Sequence, residues 1–323
     1  MKRRGVLALL TPLLAGCFGG GAVRKTAEPG RTETAAATPT ATPEPTGTPT
    51  SEATETATAT PESTPASTGD EGLAADHLGT ARERVGTAVD AYADGGTLTE
   101  VRADADGFAP DDVYVALTRA NAAVGRAAAL AATDEQETAV ARLEGVVAFL
   151  SHATAAQANA IVGHDALVGA RRTLADDSGT GTNGHLGEIR TARDAIRDAV
   201  SSLESGSDPS DATAVDAFGA DAYRTKVEQF DAAATTLDDA TGPVSTLSDG
   251  LVLLETARTR SENGDEESAK EDAEEAVEKL EAAEGTLEDL VDGLPDAAAT
   301  FESPLSALRD LAAEKRAEAE SLT

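Results

Sequence analysis

Tryptophan is absent from these 323 residues, tyrosine occurs three times and phenylalanine six, so no core here is built on large aromatic side chains. That argues against a β-sandwich interior, which leans on aromatic and β-branched residues. Alanine dominates from residue 74 onward and favours helices in close approach. The one cysteine, Cys17, leaves no intramolecular disulfide and no thiol pair for redox chemistry. Basic residues are scarce as well: 26 Lys and Arg, only six of them Lys, stand against 58 Asp and Glu. The first 69 residues carry six of each sign, so the remainder holds 20 basic against 52 acidic side chains and the whole net charge of −32. A surface of that sign repels the phosphates of nucleic acid and anionic headgroups, and nucleic acid is not an expected partner.

Patterns that carry catalysis are missing too. No glycine-rich phosphate loop follows a strand, and no Gly-x-Ser-x-Gly elbow occurs. The four histidines, His77, His152, His164 and His185, contain no His-x-x-x-His pair. No catalytic residue is assigned, and the chain is expected not to be an enzyme.

What is present begins at the N-terminus. Residues 1–17 read MKRRGVLALLTPLLAGC: a basic start, an apolar run of about ten residues and small side chains before a cysteine, the layout of a secretory signal. The run contains Pro12 and is half the length a spanning helix needs, and no later stretch is expected to be long enough either. Leu14-Ala15-Gly16-Cys17 resembles the lipobox of prokaryotic lipoproteins, in which the signal is cut before the cysteine and its sulfur receives lipid. The resemblance implies a signal peptide over 1–16, lipidation at Cys17 and anchoring to the outer face of the cytoplasmic membrane. Arg3-Arg4 before the apolar run resembles a twin-arginine signal, used by proteins exported already folded.

From about residue 18 to 68 the composition turns to Gly, then Thr, Pro, Ala and Glu, with seven prolines between Pro29 and Pro65. Too few apolar side chains are present to offset the entropy of ordering, and residues 17–69 are expected to form a disordered Thr/Pro-rich tether. Fully extended, about 50 residues at roughly 3.1 Å each would span about 150 Å.

Beyond residue 70 the period is helical. Val146, Phe149, Ala153, Ala156, Ala160, Gly163, Leu167, Ala170 and Leu174 alternate steps of three and four, the spacing of a heptad seam. The same spacing links Val113, Leu117, Ala120, Val124, Ala127 and Ala131, and again Ala273, Ala276, Leu280, Ala283, Leu287, Leu290 and Leu294. Glycine and proline punctuation, including Gly242-Pro243, divides the body into about eight helices near 72–94, 111–132, 135–176, 186–205, 211–241, 244–262, 265–292 and 296–322. The expected fold is all-α, an antiparallel helical bundle over 70–323. One bundle and two sub-bundles, about 70–206 and 207–323, are both open at this point.

Two local patterns bear on metal. His185 and Glu188 stand at i and i+3 in Gly-His-Leu-Gly-Glu, a spacing that points imidazole and carboxylate the same way at a helix start. The pattern resembles the Gly-x-His-x-x-Glu signature of imelysin-like iron-uptake lipoproteins, with Asn183 in the place of the signature's glycine, and implies an iron-handling alternative centred on those two residues. Asp104-Ala105-Asp106-Gly107 has the opening spacing of a calcium loop without its later ligands, and is expected to be a solvated turn before Asp111, the cap of the next helix. The hydroxyls of Tyr92, Tyr114 and Tyr223 are expected at the rim of the core.

The acidity and the preference for Arg over Lys resemble the composition of proteins from halophilic archaea. In molar salt the screening length falls to about 3 Å, which suppresses the self-repulsion of such a surface. The leading expectation is a lipid-anchored, non-enzymatic helical ectodomain that binds a protein or solute or serves a structural role. The membrane, through the lipid on Cys17, is its one assigned partner, and no cofactor is expected.

Overall fold

The computed structural model describes residues 68–176 and 181–323, and every regular element among them is helical. Seven α-helices follow in chain order: α1 (Thr68–Ala93), α2 (Pro110–Leu130), α3 (Asp134–Ala175), α4 (Thr182–Gly206), α5 (Ala220–Glu262), α6 (Glu266–Asp292) and α7 (Glu302–Glu320). Short 3-10 turns occupy Leu98–Glu100, Asp211–Ala214 and Asp296–Phe301. The described chain is an all-α helical bundle.

Local chemistry sets the helix ends. Pro110 opens α2, where its fixed φ fits and its missing N–H is not needed. Ala109 is the cap, and Asp111 falls in the first turn rather than before it. The Thr133 hydroxyl caps α3 by accepting from the Gln136 amide at 3.2 Å, while the Gln136 side chain accepts from Ala132 N at 2.9 Å. The chain enters α4 through Gly181 at φ +115°, a conformation that side chains with a Cβ rarely adopt.

The expected break at Gly242-Pro243 does not occur, and this is why there are seven long helices and not eight. α5 runs 43 residues straight through Pro243. A proline inside a helix costs about 3 kcal/mol, yet the seam Leu237, Ala240, Val244, Leu247, Leu251 and Leu254 is buried on both sides of it. Each large apolar side chain in that seam is worth about 1.5–3 kcal/mol, so the seam outweighs the lost hydrogen bond. At its other end α5 begins at Ala220, not near 211. Residues 211–219 form a turn and loop that bury Ala212, Val215 and Phe218, a use of apolar side chains that mimics a helical period.

Successive helices pack as hairpins, α1 on α2, α3 on α4, α5 on α6 and α6 on α7, and α4 lies against α5. α3 also touches α1, α2, α5 and α7. Its nine seam residues from Val146 to Leu174 are all buried, and core side chains from Leu78 to Ala319 form one continuous cluster. α3 also contains an 18-residue window of mean hydropathy 1.2, long and apolar enough to cross a membrane by length and composition, half of it buried in the bundle. This corrects the expectation that no stretch after the N-terminal run is long enough; residues such as Ser151, His152, Gln157 and Asn159 divide the window and hide it from the eye.

The few arginines tie helices together. Asp238 on α5 accepts from Arg193 and, at 2.9 Å, from Arg197, both on α4. Arg260 on α5 meets Asp272 on α6 at 2.9 Å. Arg316 on α7 meets Glu284 on α6 at 2.9 Å, and Arg258 on α5 pairs with Glu318 on α7. These partly exposed pairs set helix register more than they add stability.

Candidate functional site

Arg3, Arg4, Leu14, Ala15, Gly16 and Cys17, with the tether, lie outside the described residues. Of the residues singled out in the body, His185 and Glu188 do meet: Nδ1 stands 3.1 Å from Oε2 in the first turns of α4. The imidazole rests on α3, where a β-carbon on Gly169 would come within 2.7 Å of its Cε1. The pair stays partly open, at 30% and 59% exposure. No group of three or more His, Cys, Asp or Glu side chains that could hold a metal occurs among the described residues. Two donors, one already bonded to the other, fall short of the four or more ligands that zinc or iron takes, so these residues alone do not fit a resident metal.

Of the other histidines, His164 serves packing. His164 lays its ring against Phe301 at 5.8 Å and 64°, with Nδ1 3.6 Å from Asp165. Burial pushes His152 below the usual imidazole range. Asp104 and Asp106 are solvated side chains of a turn that Gly107 completes at φ +90°. The tyrosines occupy three different environments. Tyr92 is fully buried, contrary to the expected rim position, because its hydroxyl finds Gln157 Oε1 at 3.4 Å inside the core. Tyr223 stacks near Phe149 at 4.6 Å and directs its hydroxyl to Ser207. Tyr114 is 40% exposed.

The most unusual chemistry lies at a residue that belongs to no motif. Lys226 of α5 is only 1% exposed. Its ammonium donates to the carbonyl of Val101, to Gln157 Oε1 at 2.6 Å and to Gln229 Oε1 at 3.1 Å. The two amides pass the connection on: Gln157 Nε2 donates to Arg102 O at 2.8 Å, and Gln229 Nε2 to Thr99 O at 2.9 Å. Three side chains from α3 and α5 thereby hold three carbonyls of the connection between α1 and α2. The rings of Phe230 and Tyr92 lie 4.9 Å and 5.6 Å from Nζ, a favourable placement for a cation. Burial pushes the ammonium down to about 7, and the nearby Arg102 adds to that shift.

A signal for this residue was present. Tyr223, Lys226, Phe230, Ala233, Leu237 and Ala240 keep the alternation of three and four, so Lys226 occupies a seam position otherwise reserved for apolar side chains. A charged residue there is either a break in the seam or a buried ion with partners. One partner, Gln229, follows three residues later on the same helix, whereas Val101 and Gln157 lie more than sixty residues away and leave no local trace.

On the surface, α5 lines two adjoining depressions. One, of about 490 Å3, opens between the end of α4 and α5, with Tyr223 and Val227 as apolar lining and Glu204, Asp208, Glu228 and Asp231 as acidic lining. The other, of about 340 Å3, shares Glu228 and Asp231 and continues to Leu290 and Leu294 near the end of α6. Partial burial, with Glu204 close by, pushes the Asp231 carboxyl above the usual range. The chain matches no protein-family model, no curated protein and no solved structure.

Proposed function

We propose that this chain is an exported, lipid-anchored helical ectodomain that acts by binding or by structural presence and not by catalysis. The observation that carries the reading is the position of its single cysteine, directly after the basic start, the short apolar run and Leu14-Ala15-Gly16. Cleavage before Cys17 and acylation of its sulfur would place the acidic body outside the cell on a tether of about fifty residues. One acyl chain binds membranes only marginally, so durable anchoring calls for two. The surface acidity fits a salt-rich exterior, where screening suppresses repulsion among like charges.

For the binding form of this reading, the depression beside Tyr223 and Asp231 offers apolar lining from Tyr223 and Val227 and four acidic side chains against one base, Arg224. It suits a ligand that joins a cation to an apolar face. Mass spectrometry of native material should find Cys17 as the first residue, carrying lipid, and Cys17→Ser should release the protein from membranes. An intact Met1 with an unmodified thiol would sink the proposal.

A further inference from the structure

Lys226 is a buried cation without a buried anion. Its three N–H groups go to a backbone carbonyl and two side-chain amides, all neutral, and no carboxylate forms an ion pair with it among the described residues. Unneutralised charge in a protein interior is costly, and the amides redistribute that charge without cancelling it.

A small cavity of about 10 Å3 lies beside the ammonium, where α3, α5, the connection after α1 and the Asp296–Phe301 turn meet. Space of that size admits a single water or a monatomic ion. Lys226 lines it from α5, Arg102 from the connection, and Thr300 offers a hydroxyl. Phe230 and Phe301 supply apolar wall. None of its lining residues is acidic, although acidic side chains outnumber basic ones by 58 to 26 in the chain. Arg102 is itself solvent-exposed, so the lining combines an exposed cation with a buried one.

We infer that this cavity is a halide site, in which a chloride ion neutralises Lys226 with the help of Arg102 and the Thr300 hydroxyl. The ion is held by the field of the two cations, since the ammonium hydrogens are already committed to oxygen. In a chloride-rich exterior the site is filled, and the bound ion fastens the α1–α2 connection to α3 and α5. The inference does not depend on the lipid anchor.

The test compares thermal unfolding of the full chain, purified in detergent, in molar sodium chloride and in sodium gluconate of equal concentration. For a body of this size a binding contribution of about 1 kcal/mol moves the midpoint by about 2–4 °C, so a chloride-specific rise of at least that order is expected. Arg102→Gln, at an exposed position that leaves the core intact, should remove most of the rise. Lys226→Met should abolish it if the variant folds. Crystals grown in sodium bromide should show an anomalous peak in the cavity. Equal midpoints in the two salts, an undiminished chloride response in Arg102→Gln, or a cavity holding only water in the bromide crystals would overturn the assignment.

Discussion

Gly163 on α3 faces Leu237 on α5 so closely that a β-carbon on the glycine would stand 2.5 Å from Leu237 Cδ1. The contact joins the two longest helices at a seam position of each, and alanine and glycine elsewhere along α3 let its neighbours approach in the same way. Overfilling this crossing should be felt across the core. Gly163→Val is expected to cost about 1–3 kcal/mol, read from chemical denaturation. Gly125→Ala, in α2 with nothing near its added methyl, should instead stabilise by about 0.5–1 kcal/mol through helix propensity.

Removing the buried ammonium tests what holds the α1–α2 connection. In Lys226→Met the carbonyl of Val101 and Gln229 Oε1 lose the ammonium as donor, Gln157 Oε1 keeps the Tyr92 hydroxyl, and each unmet buried acceptor costs about 1–3 kcal/mol. Replacing the charge by an apolar chain recovers part of that, so a net loss of about 2–4 kcal/mol is expected. Amide hydrogen exchange should quicken first over residues 97–103. Exchange that quickens evenly through all seven helices would show that the lysine does not specifically secure this connection.

The same lysine predicts a pH dependence. Folded, it loses its proton near pH 7; an ordinary lysine does so at 10.5. Between those values the unfolded chain binds more protons than the folded one, so stability rises with pH across that window. Denaturation midpoints in sodium gluconate should therefore climb from pH 7 toward 10.5 for the parent chain relative to Lys226→Met. With chloride present, an anion beside the ammonium should keep the proton bound and displace the climb to higher pH.

Salt should govern the body as a whole. With 52 acidic against 20 basic residues beyond position 69, repulsion grows as the screening length rises from about 3 Å in molar salt to about 30 Å at 0.01 M. Helicity measured by circular dichroism should fall on dialysis into dilute buffer and return when salt is restored. A spectrum indifferent to salt would remove the link between acidity and a saline exterior.

Much of this architecture was legible in spacing alone. The nine seam positions of α3 are all buried as their three-four alternation requires, and five of the six in α2 are buried, Ala131 lying just past the helix end. The reading failed where local punctuation and tertiary packing disagree. Pro243 carries a strong stop signal, but the seam on both of its sides belongs to one buried face, and only the neighbours that cover that face reveal it. Lys226 failed differently. Its position in the seam was visible, whereas Gln157 and Val101, which with the neighbouring Gln229 make a charge tolerable there, come from distant parts of the chain. His185 and Glu188 show the converse: spacing correctly brought two side chains together, but spacing within one helix does not supply further ligands from its neighbours.

The hairpin arrangement of the helices has a consequence for how the chain is made. Because each helix leans chiefly on the one before or after it, most native contacts close over short stretches of polypeptide, and topologies of this kind assemble in microseconds to milliseconds. A ribosome adds only about 5–20 residues per second, so α1 and α2 can settle on each other well before α7 has been synthesised. The nascent chain would thus carry a finished hairpin while its last helices are still being added.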